Sequence, residues 1–510
     1  MTGKVWLVGA GPSDIGLLTL KGKAVLEAAE VVVYDALVSP EILALVPEGA
    51  ELVNVGKRSH HHIRKQEEIN RILLEEALQG KRVVRLKGGD PFLFGRGGEE
   101  LQLLTEYEIP YEIVPGVTSA IAVPAYSGIP VTHRDFCSSV HIITGHKKKD
   151  APLDLNFDAL VSMKATLVFL MGVTALPDIC AGLMAAVMHP ETPQHKVQKS
   201  TTAEQRRVVS TVAGLPEESC RAGIEAPAII VVGPVCRLAE DFAWAEKREL
   251  AGCRVIVTRP RDRASALTDR LRQKGAQVID IPAIRTEAIP DNKALQDALG
   301  RLAEFQWIVF TSPAGVKVFF EALRAEKKDV RSLAGCRLAV LGPGTRRELE
   351  RCGLFADLEP GTYDGASLGR ALAAVLQPGE RVLLPRAAKG NPEIVEEIRK
   401  APSVILEDIP IYETLYEKSP LIDERAELEK HPQTLAVFTS ASTVRGFLAA
   451  TEGLDVSRVR ALCIGKQTAR AAGEAGMRTY TATQATMDSL EELVCRVHRE
   501  MEEEKEDYGE

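Results

Sequence analysis

The chain has 510 residues, 45% of them hydrophobic, and its 63 Lys plus Arg against 71 Asp plus Glu give a formal net charge of −8. This length predicts roughly three or four compact units, or two large ones with internal substructure, and the acidic balance argues against nucleic acid or an anionic membrane as a partner. The nine cysteines include no CxxC pair, and neither a secretory signal nor a run of apolar residues long enough for a membrane span is visible, so we expect a reduced, cytoplasmic protein.

Strand-like apolar runs alternate with helical stretches through the first half of the chain. The strand candidates are KVWLVGAG, VVVYDAL, RVVRLKG, SVHIITGH, ATLVFLMG and APAIIVVG. TLKGKAVLEAAE and QEEINRILLEEALQG have the spacing of amphipathic helices. This alternation indicates an α/β architecture. A charged stretch over 238–254 predicts a helical junction, after which the strand RVIVTRP begins a second half.

Two motifs that suggest a phosphate site or a metal site are incomplete. VGAGPSD follows a strand, but Asp14 stands where a dinucleotide fingerprint has its third glycine. Pro12 also removes a backbone N–H that a pyrophosphate would use. The three consecutive histidines at 60–62 do not share one face of any regular element. We therefore expect neither a dinucleotide nor a metal.

The segment RLKGGDPFLFGRGGEE (85–100) is the most informative stretch of the first half. Gly88 and Gly89 let a ligand approach the backbone closely. The carboxylate of Asp90 is unsuited to a phosphate but suits a ribose hydroxyl, an ammonium or a positive sulfonium. A glycine turn with a helix-capping Asp is the alternative.

Residues 3–245 resemble the uroporphyrinogen-III C-methyltransferases of the tetrapyrrole methylase family. The resemblance is carried by VGAGPSD, VVVYDALVS, VGKR, RLKGGDPFLFGRGGEE, VPGVTSAIAVPAYSGIPVTHRD, FLMG and APAIIVVG. It implies S-adenosyl-L-methionine as the methyl donor and uroporphyrinogen III as the acceptor, methylated twice to precorrin-2. The chain departs from the family pattern at Ser13 and Ser200, where the family has glycine, and Ser200 puts an expected backbone contact in doubt.

The same resemblance implies the residues of a methyltransferase site. The donor-binding candidates are Pro12, Gly88, Gly89, Asp90, Leu93, Thr118, Ser119, Met171, Ser200 and Ala228. The substrate-facing candidates are Arg96, Glu99, Arg134 and again Met171. Asp35 and Lys57 are implied as proton-handling groups. A strand-end cap at Asp35 and a solvated pair of Lys57 with Arg58 are the alternatives.

An internal repeat organises the second half. Segments within 252–353 recur in the same order within 379–477: GCRVIVTRP with GERVLLPRA, WIVFTSPAGV with LAVFTSASTV, and CRLAVLGPGT with VRALCIGKQT. Self-similarity in constant order, at an offset of about 127 residues, predicts two similar α/β lobes facing across a cleft. Exchange of strands between the two lobes is an alternative to two separate copies.

Hydroxyl residues follow corresponding strands in both copies of the repeat. Hydroxyls and backbone N–H groups at helix starts bind carboxylates well, so two opposed sets would grip a polycarboxylate. The candidates are Thr311, Ser312, Thr345, Thr439 and Ser440. Plain helix capping is the alternative.

Residues 252–495 resemble the uroporphyrinogen-III synthase family, through VIVTRP, IVFTSPAGV, VLGPGT, LLPRA, IPIYET and VFTSAST. The resemblance implies cyclisation of hydroxymethylbilane with inversion of the last ring. It also implies that Tyr412, the tyrosine of IYET, helps the hydroxyl group leave. Its counterpart in the repeat is Ile284, so the lobe scaffold does not demand a tyrosine there. A half-buried strand tyrosine is the alternative.

These expectations combine into one hypothesis of a fused α/β enzyme. It has a two-lobed tetrapyrrole methylase fold over 1–245, a two-lobed α/β uroporphyrinogen-III synthase fold built from the repeat over 250–500, and a frayed acidic tail over 501–510. It makes precorrin-2, a precursor of sirohaem or cobalamin, from hydroxymethylbilane without a metal, and we expect a homodimer through the methyltransferase half. A different corrin-pathway methylase fused to a non-catalytic tetrapyrrole-binding or regulatory module is the alternative.

Overall fold

The computed structural model describes residues 2–56, 65–146, 153–260, 266–416, 418 and 423–508. The strands in this part of the chain form three β-sheets. The first two sheets belong to the first half of the chain and the third belongs to the second half. Within the described residues, no helix is both long enough and apolar enough to cross a membrane.

The first sheet is parallel and has five strands. Its strands are β1 (Lys4–Gly9), β2 (Val31–Tyr34), β3 (Glu51–Asn54), β4 (Arg82–Lys87) and β5 (Tyr111–Val114). The helices of this lobe are α1 (Leu20–Glu27), α2 (Pro40–Leu43), α3 (Gln66–Leu78) and α4 (Gly97–Glu106). The strand order is β3-β2-β4-β1-β5. The carboxyl ends of β1, β2 and β4 therefore meet at one edge, where ligands bind in open α/β sheets.

The second sheet is mixed and also has five strands. The next helix is α5 (Ser119–Tyr126), and the strands are β6 (Val140–Thr144), β7 (Thr166–Leu170), β8 (Pro193–Gln198), β9 (Arg206–Thr211) and β10 (Ala228–Val232). The remaining helices of this lobe are α6 (Phe157–Ser162), α7 (Leu176–Ala185) and α8 (Leu215–Arg221). The order is β6-β7-β10-β8-β9. All six strand candidates of the first half are confirmed as strands.

The third sheet has nine strands and spans both lobes of the second half. The strands are β11 (Arg254–Pro260), β12 (Gln277–Ala288), β13 (Trp307–Phe310), β14 (Arg337–Val340), β15 (Arg381–Ala387), β16 (Ile405–Tyr416), β17 (Leu435–Phe438), β18 (Arg460–Cys463) and β19 (Arg478–Thr481). The helices are α9 (Ala266–Gln273), α10 (Lys293–Gly300), α11 (Pro313–Ala325), α12 (Pro343–Arg351), α13 (Gly365–Ala373), α14 (Glu393–Ile398), α15 (Glu424–Lys430), α16 (Ala441–Ala450), α17 (Lys466–Glu474) and α18 (Met487–Tyr508).

The two copies of the repeat exchange strands. In the order β14-β13-β15-β16-β12-β11-β17-β18-β19, β11 of the first copy pairs with β17 of the second, and β15 of the second copy pairs with β13 of the first. Arg259 lies opposite Pro282 in one lobe, and Arg386 lies opposite Pro410 in the other. The register is thus the same in both lobes. This confirms the predicted repeat and its two similar lobes, and it shows that the two copies exchange strands.

Each lobe of the third sheet is buried on both faces. Trp307 and Val309 of β13 belong to one apolar cluster, whereas Ile308 and Phe310 belong to the cluster on the opposite face. Successive side chains of a strand point to opposite faces. A parallel strand covered by helices on both sides is therefore apolar throughout, as the run WIVF is.

Two local predictions were wrong. After the short 3-10 helix Pro234–Leu238, the stretch up to 253 forms turns rather than a helix, because it packs against both halves: Trp244 Nε1 donates to Ala125 O (2.9 Å), and Leu250 is buried in the apolar core of the second half. The acidic stretch after 500 is not frayed as far as it is described, because α18 continues through it to Tyr508.

Candidate active sites

Three turns meet at the carboxyl edge of the first sheet. Gly89 N donates to Gly11 O (2.7 Å) and Gly11 N donates to Gly89 O (3.1 Å), which joins the turn after β4 to the turn after β1. Gly116, in the turn after β5, lies so close that a Cβ atom there would be 2.2 Å from Gly89 O. Real Cβ atoms do not approach a carbonyl oxygen this closely, so the meeting of the turns requires glycine at this position.

Gly116→Ala is expected to destabilise the protein by about 1–3 kcal/mol, the usual cost of inserting a methyl group into a closed space. Gly98, in α4, is the matched control because an added Cβ there meets nothing within 4 Å. Gly98→Ala should be neutral or slightly stabilising, since alanine favours helix over glycine. Chemical denaturation of the three proteins measures both effects, and equal midpoints for Gly116→Ala and the parent would contradict the prediction.

Asp90 holds this meeting point together. Its Oδ1 accepts from the backbone N–H groups of Phe92 (2.8 Å) and Leu93 (3.1 Å), and its Oδ2 accepts from the N–H of Gly116 (3.0 Å). Asp90 therefore caps the turn after β4, but it does not cap a helix as the alternative required, because α4 begins only at Gly97 with Arg96 as its N-cap. A carboxylate has about four acceptor positions, so three backbone partners leave room for a ligand hydroxyl.

An open space lies above Gly89, as a ligand in close contact with the backbone requires. Gly89 has φ +69°, in the left-handed region, and among the described residues an added Cβ would meet only Ser119 N, at 3.9 Å. Ser119 begins α5, and Thr118 caps that helix by accepting from Ala120 N (3.2 Å). The structure thus brings the Gly88–Gly89 turn close to Thr118 and Ser119 at the start of α5.

Asp35 lies beside the same turn. Its Oδ1 accepts from Leu37 N (3.0 Å), and its Oδ2 accepts from Gly88 N at a longer 3.4 Å. A Cβ on Gly88 would lie 2.7 Å from Leu37 Cβ, so the turn after β2 packs tightly on the turn after β4. Asp35 therefore caps its own turn and lies against the turn that carries Gly88, and its role in proton transfer stays a prediction. Lys57 and the histidines at 60–62 lie outside the described residues.

The loop between β8 and β9 connects the second lobe to the turn after β1. Thr201 Oγ1 donates to Pro12 O (2.5 Å). Ser200 is buried, and its hydroxyl donates to Gln205 Oε1 (2.6 Å) rather than facing open space. Ala228 is also buried and begins β10 opposite Gln198. Ser200 is thus next in the chain to the contact between the lobes, and the contact of Ser200 and Ala228 with a donor stays a prediction.

Several residues around this seam have strained backbone conformations. Ser13 (φ 102°), Lys199 (φ 45°), Thr201 (φ 66°) and Met171 (φ 54°) all lie at positive φ. The Met171 side chain, just after β7, is 50% exposed. Non-glycine residues with positive φ persist only where the surrounding structure holds them, and they concentrate at functional sites. This strain supports the predicted location of the site.

The predicted substrate residues Arg96 and Glu99 are bound to each other. Arg96 Nε and Nη2 donate to the two carboxylate oxygens of Glu99 at 2.9 Å and 2.6 Å. This pairing raises the pKa of Arg96 and lowers the pKa of Glu99. Both side chains are about half exposed, and Arg134 is exposed as well. An incoming carboxylate would have to replace Glu99 as the partner of Arg96.

Sequence reasoning missed two phenylalanines in the same loop. Phe92 is 55% exposed and Phe94 is 42% exposed, and Phe94 has φ 54°. Large apolar side chains held out of the core beside an arginine give a surface suited to an aromatic, anionic ligand. In the sequence, the feature that could have identified this surface was the presence of two aromatic residues inside a glycine-rich, charged loop.

A buried charge cluster beneath the loop was also missed. Glu100 is fully buried and accepts from Arg85 Nε (3.0 Å) and Lys87 Nζ (2.8 Å). Burial and the nearby charge of Arg85 lower the pKa of Lys87. The cluster ties the start of α4 to β4. Its signal was two basic residues in an otherwise apolar strand.

In the second half, the structure brings Ser312 and Tyr412 together. Their hydroxyl oxygens lie 2.7 Å apart, and Ser312 also caps α11 by accepting from Gly315 N (3.0 Å). Tyr412 is only 6% exposed, and burial raises its pKa although the bond to Ser312 acts in the opposite direction. Tyr412 opposes Ala387 as Ile284 opposes Pro260, which confirms the repeat counterparts.

The other hydroxyl candidates of the second half have mainly capping geometry. Ser440 caps α16 in a reciprocal capping box with Thr443. Thr311 and Thr439 are half-buried at the ends of β13 and β17. Thr345 is only 4% exposed, so its side chain offers a ligand little surface. Their contact with a substrate stays a prediction.

Comparisons with known proteins divide the chain at the same place as the sheets. The family model for tetrapyrrole (corrin/porphyrin) methylases matches residues 4–216, and that for uroporphyrinogen-III synthase HemD matches residues 265–492. A crystal structure of uroporphyrin III C-methyl transferase from Thermus thermophilus is 40% identical and covers 46% of this chain and 99% of its own, with a TM-score of 0.40.

Two relatives match the whole chain. The porphyrin biosynthesis protein HemD of Ruminiclostridium josui is 43% identical over 488 residues, which are 96% of this chain and 97% of that protein. The uroporphyrinogen-III C-methyltransferase of Bacillus subtilis (strain 168) is 35% identical over 517 aligned residues, covering 99% and 98%. The chain therefore belongs to the family of fused tetrapyrrole biosynthesis enzymes in which a tetrapyrrole methylase precedes a uroporphyrinogen-III synthase.

Proposed function

We propose that the second half cyclises hydroxymethylbilane to uroporphyrinogen III and that the first half methylates this product twice to precorrin-2. The observation that carries the proposal is the presence, in one chain, of two parts whose reactions follow one another, since the product of the synthase is the substrate of the methyltransferase. Two relatives that match nearly the full length, one named a porphyrin biosynthesis protein and one a uroporphyrinogen-III C-methyltransferase, support the combination of the two parts in one chain.

S-adenosyl-L-methionine is the proposed methyl donor, and its positively charged sulfonium supplies the methyl group when it is bound. The open space over Gly89 fits a ligand in contact with the backbone. Asp90 contributes a carboxylate, with acceptor capacity left over for a ribose hydroxyl. Pro12, whose carbonyl accepts from Thr201, and the second-lobe residues Ser200, Ala228 and the exposed Met171 complete the proposed donor site.

The acceptor carries eight carboxylates on four pyrrole rings. Arg96 and Arg134 anchor carboxylates, for which the arginine fork is well suited. The exposed rings of Phe92 and Phe94 pack on the macrocycle. Alignment of the two reactants supplies much of the rate in such a transfer. Asp35, beside Gly88, accepts the proton that the macrocycle loses after methylation.

Arg96→Ala is expected to raise the KM for uroporphyrinogen III about tenfold, because a charged hydrogen bond to the substrate is lost, and to leave donor affinity unchanged. Arg71→Ala is the matched control, since Arg71 is an exposed arginine of α3 that also pairs with a glutamate, Glu75. Methylation kinetics and donor titration calorimetry measure the two quantities. An unchanged KM would remove Arg96 from the substrate site.

In the synthase half, Tyr412 donates a proton to the departing hydroxyl, with Ser312 fixing the direction of its O–H. The intermediate is an electron-rich pyrrole that ionises readily. The protein therefore mainly holds the chain ends in the geometry that inverts the last ring and excludes side reactions.

One assay tests the whole proposal. The full chain is supplied with hydroxymethylbilane and S-adenosylmethionine, and the products are followed by mass and isomer type. A dimethylated type III macrocycle is the expected result. Uroporphyrinogen I alone would refute the synthase part, whereas unmethylated uroporphyrinogen III would refute the methyltransferase part.

A further inference from the structure

One side chain of the synthase half reaches both lobes of the methylase half. Gln277 is the first residue of β12. Its Nε2 donates to Glu41 Oε1 (3.0 Å), and its Oε1 accepts from the backbone N–H of Ala203 (3.2 Å). Glu41 lies in α2 of the first lobe, and Ala203 lies in the loop between β8 and β9 of the second. A single amide group therefore bridges the two methylase lobes.

The contact at Glu41 lies in a buried setting. Glu41 is only 7% exposed, and burial raises its pKa. Its Oε2 is a buried oxygen without a hydrogen-bond partner among the described residues. When one oxygen of a buried carboxyl group already lacks a partner, losing a hydrogen bond to the other oxygen carries a large energetic cost. The amide of Gln277 is thus a significant part of the environment of α2, which follows the Asp35 turn in the chain.

The contact at Ala203 lies in the strained loop of the donor seam. In that loop, Thr201 N and the Ser200 hydroxyl both donate to Gln205 Oε1, and Thr201 Oγ1 donates to Pro12 O. Lys199 and Thr201 lie at positive φ. Such conformations persist only when the surroundings hold them. The bond from Ala203 N to Gln277 is one of these restraints, and it comes from the synthase half.

The surroundings of Gln277 do not duplicate its contacts. A cavity of about 350 Å³ lies along the seam between the halves, bordered by Ser13, Thr201 and Gln205 on one side and by Arg272 and Gln277 on the other. Neighbouring side chains therefore leave space beside the amide. Removing the amide would enlarge this space rather than bring another donor to Glu41.

We propose that Gln277 is a positioning residue for methyl transfer: acting from the synthase half, it fixes the spacing of the two methylase lobes and the conformation of loop 199–205, and so shapes the donor pocket. This inference rests on the proposed use of S-adenosylmethionine by the first half. The synthase half is then part of the methyltransferase site, in addition to supplying its substrate.

The first test compares Gln277→Ala with the parent, both as full chains. The dissociation constant for S-adenosylhomocysteine, measured by calorimetry, is expected to rise about tenfold, as the loss of two hydrogen bonds implies. With uroporphyrinogen III added directly, the KM for the donor should rise by a similar factor while kcat changes less. Hydroxymethylbilane cyclisation by the same variant should be unchanged, which also shows that it is folded.

Gln296→Ala is the matched control, because Gln296 is an exposed glutamine on α10 of the same half. It should leave donor affinity at the parental value. Equal donor affinity in Gln277→Ala and the parent would overturn the inference. If the parent itself does not bind S-adenosylhomocysteine, the proposed methyl transfer fails instead, and this inference fails with it.

A reciprocal exchange separates positioning from a general loss of packing. Gln277→Glu keeps an acceptor for Ala203 N but no longer donates to Glu41 while ionised, so donor affinity should fall. Adding Glu41→Gln restores a donor on the opposite side of the same hydrogen bond. The double variant should recover most of the parental donor affinity. A double variant as weak as Gln277→Glu alone would overturn the inference.

Discussion

Replacing Asp90 with alanine is expected to lower donor affinity at least about 100-fold, because hydrogen bonds to a charged group contribute roughly 1.5–3 kcal/mol each and about 1.4 kcal/mol is tenfold in affinity. The Asp90 carboxylate accepts from Phe92 N, Leu93 N and Gly116 N. Its loss frees the turn after β4 from the turn after β5 and also removes the negative charge proposed to face the donor. Calorimetric titration with S-adenosylmethionine measures the effect.

Two variants separate these contributions of Asp90. Asp90→Asn keeps one acceptor oxygen but removes the charge, so it should retain part of the affinity. Arg96→Ala changes the same loop and should bind the donor normally, which shows that a substitution in this loop does not by itself abolish donor binding. Cyclisation of hydroxymethylbilane by Asp90→Ala should remain at the parental rate. Normal donor binding by Asp90→Ala would show that Asp90 belongs to neither the pocket nor its support.

The predicted strands of the first half have apolar buried residues, whereas β8 was missed because several of its buried residues are polar. β8 reads PQHKVQ, yet Gln194, His195 and Lys196 are buried. Lys196 is accommodated because its Nζ donates to Ser219 Oγ (2.6 Å) and Ile224 O (2.8 Å). Burial lowers the pKa of His195 to about 4, so it is neutral. These partners lie far along the chain, and hydrophobic periodicity does not reveal them.

The repeat predicted two similar lobes but not which strands form each lobe. Both copies carry nearly the same strands in the same register, so a closed lobe and an exchanged lobe bury similar surfaces. The pairings of β11 with β17 and of β13 with β15 decide the arrangement, and the antiparallel pairing of Ile284–Ala288 with Tyr412–Tyr416 joins the two lobes. These strand extensions have no distinct signal in the sequence, because their partner is defined only by the fold.

The candidate sites likewise combine features that one short stretch of sequence predicts with contacts between residues far apart in the chain. The glycines and Asp90 were identified from one short stretch, because a tight turn and a close backbone approach are local requirements. The pairing of Ser312 with Tyr412 joins residues 100 positions apart. The contact of Gln277 with Glu41 joins residues 236 positions apart. The identities of the residues did not predict either of these two contacts, because the partners come together only in the folded chain.

Tyr412→Phe is expected to lower the rate of hydroxymethylbilane cyclisation about 10- to 100-fold, at or below the lower end of the usual contribution of general acid catalysis, because the intermediate ionises readily without much help. Burial raises the pKa of Tyr412, so the phenol stays protonated in neutral solution and is a donor rather than a base. Phenylalanine preserves the packing but removes this proton. Initial rates and the ratio of type III to type I isomer measure the loss.

Tyr416→Phe is the matched control for this variant, because Tyr416 lies in the same strand but is 47% exposed. It should cyclise hydroxymethylbilane at the parental rate. Ser312→Ala keeps the phenol but removes its hydrogen-bond partner, so its effect should lie between those of the two tyrosine variants. Methylation of added uroporphyrinogen III should be unchanged in all three. Parental cyclisation by Tyr412→Phe would mean that the hydroxyl only holds Ser312, and that geometry alone directs the ring inversion.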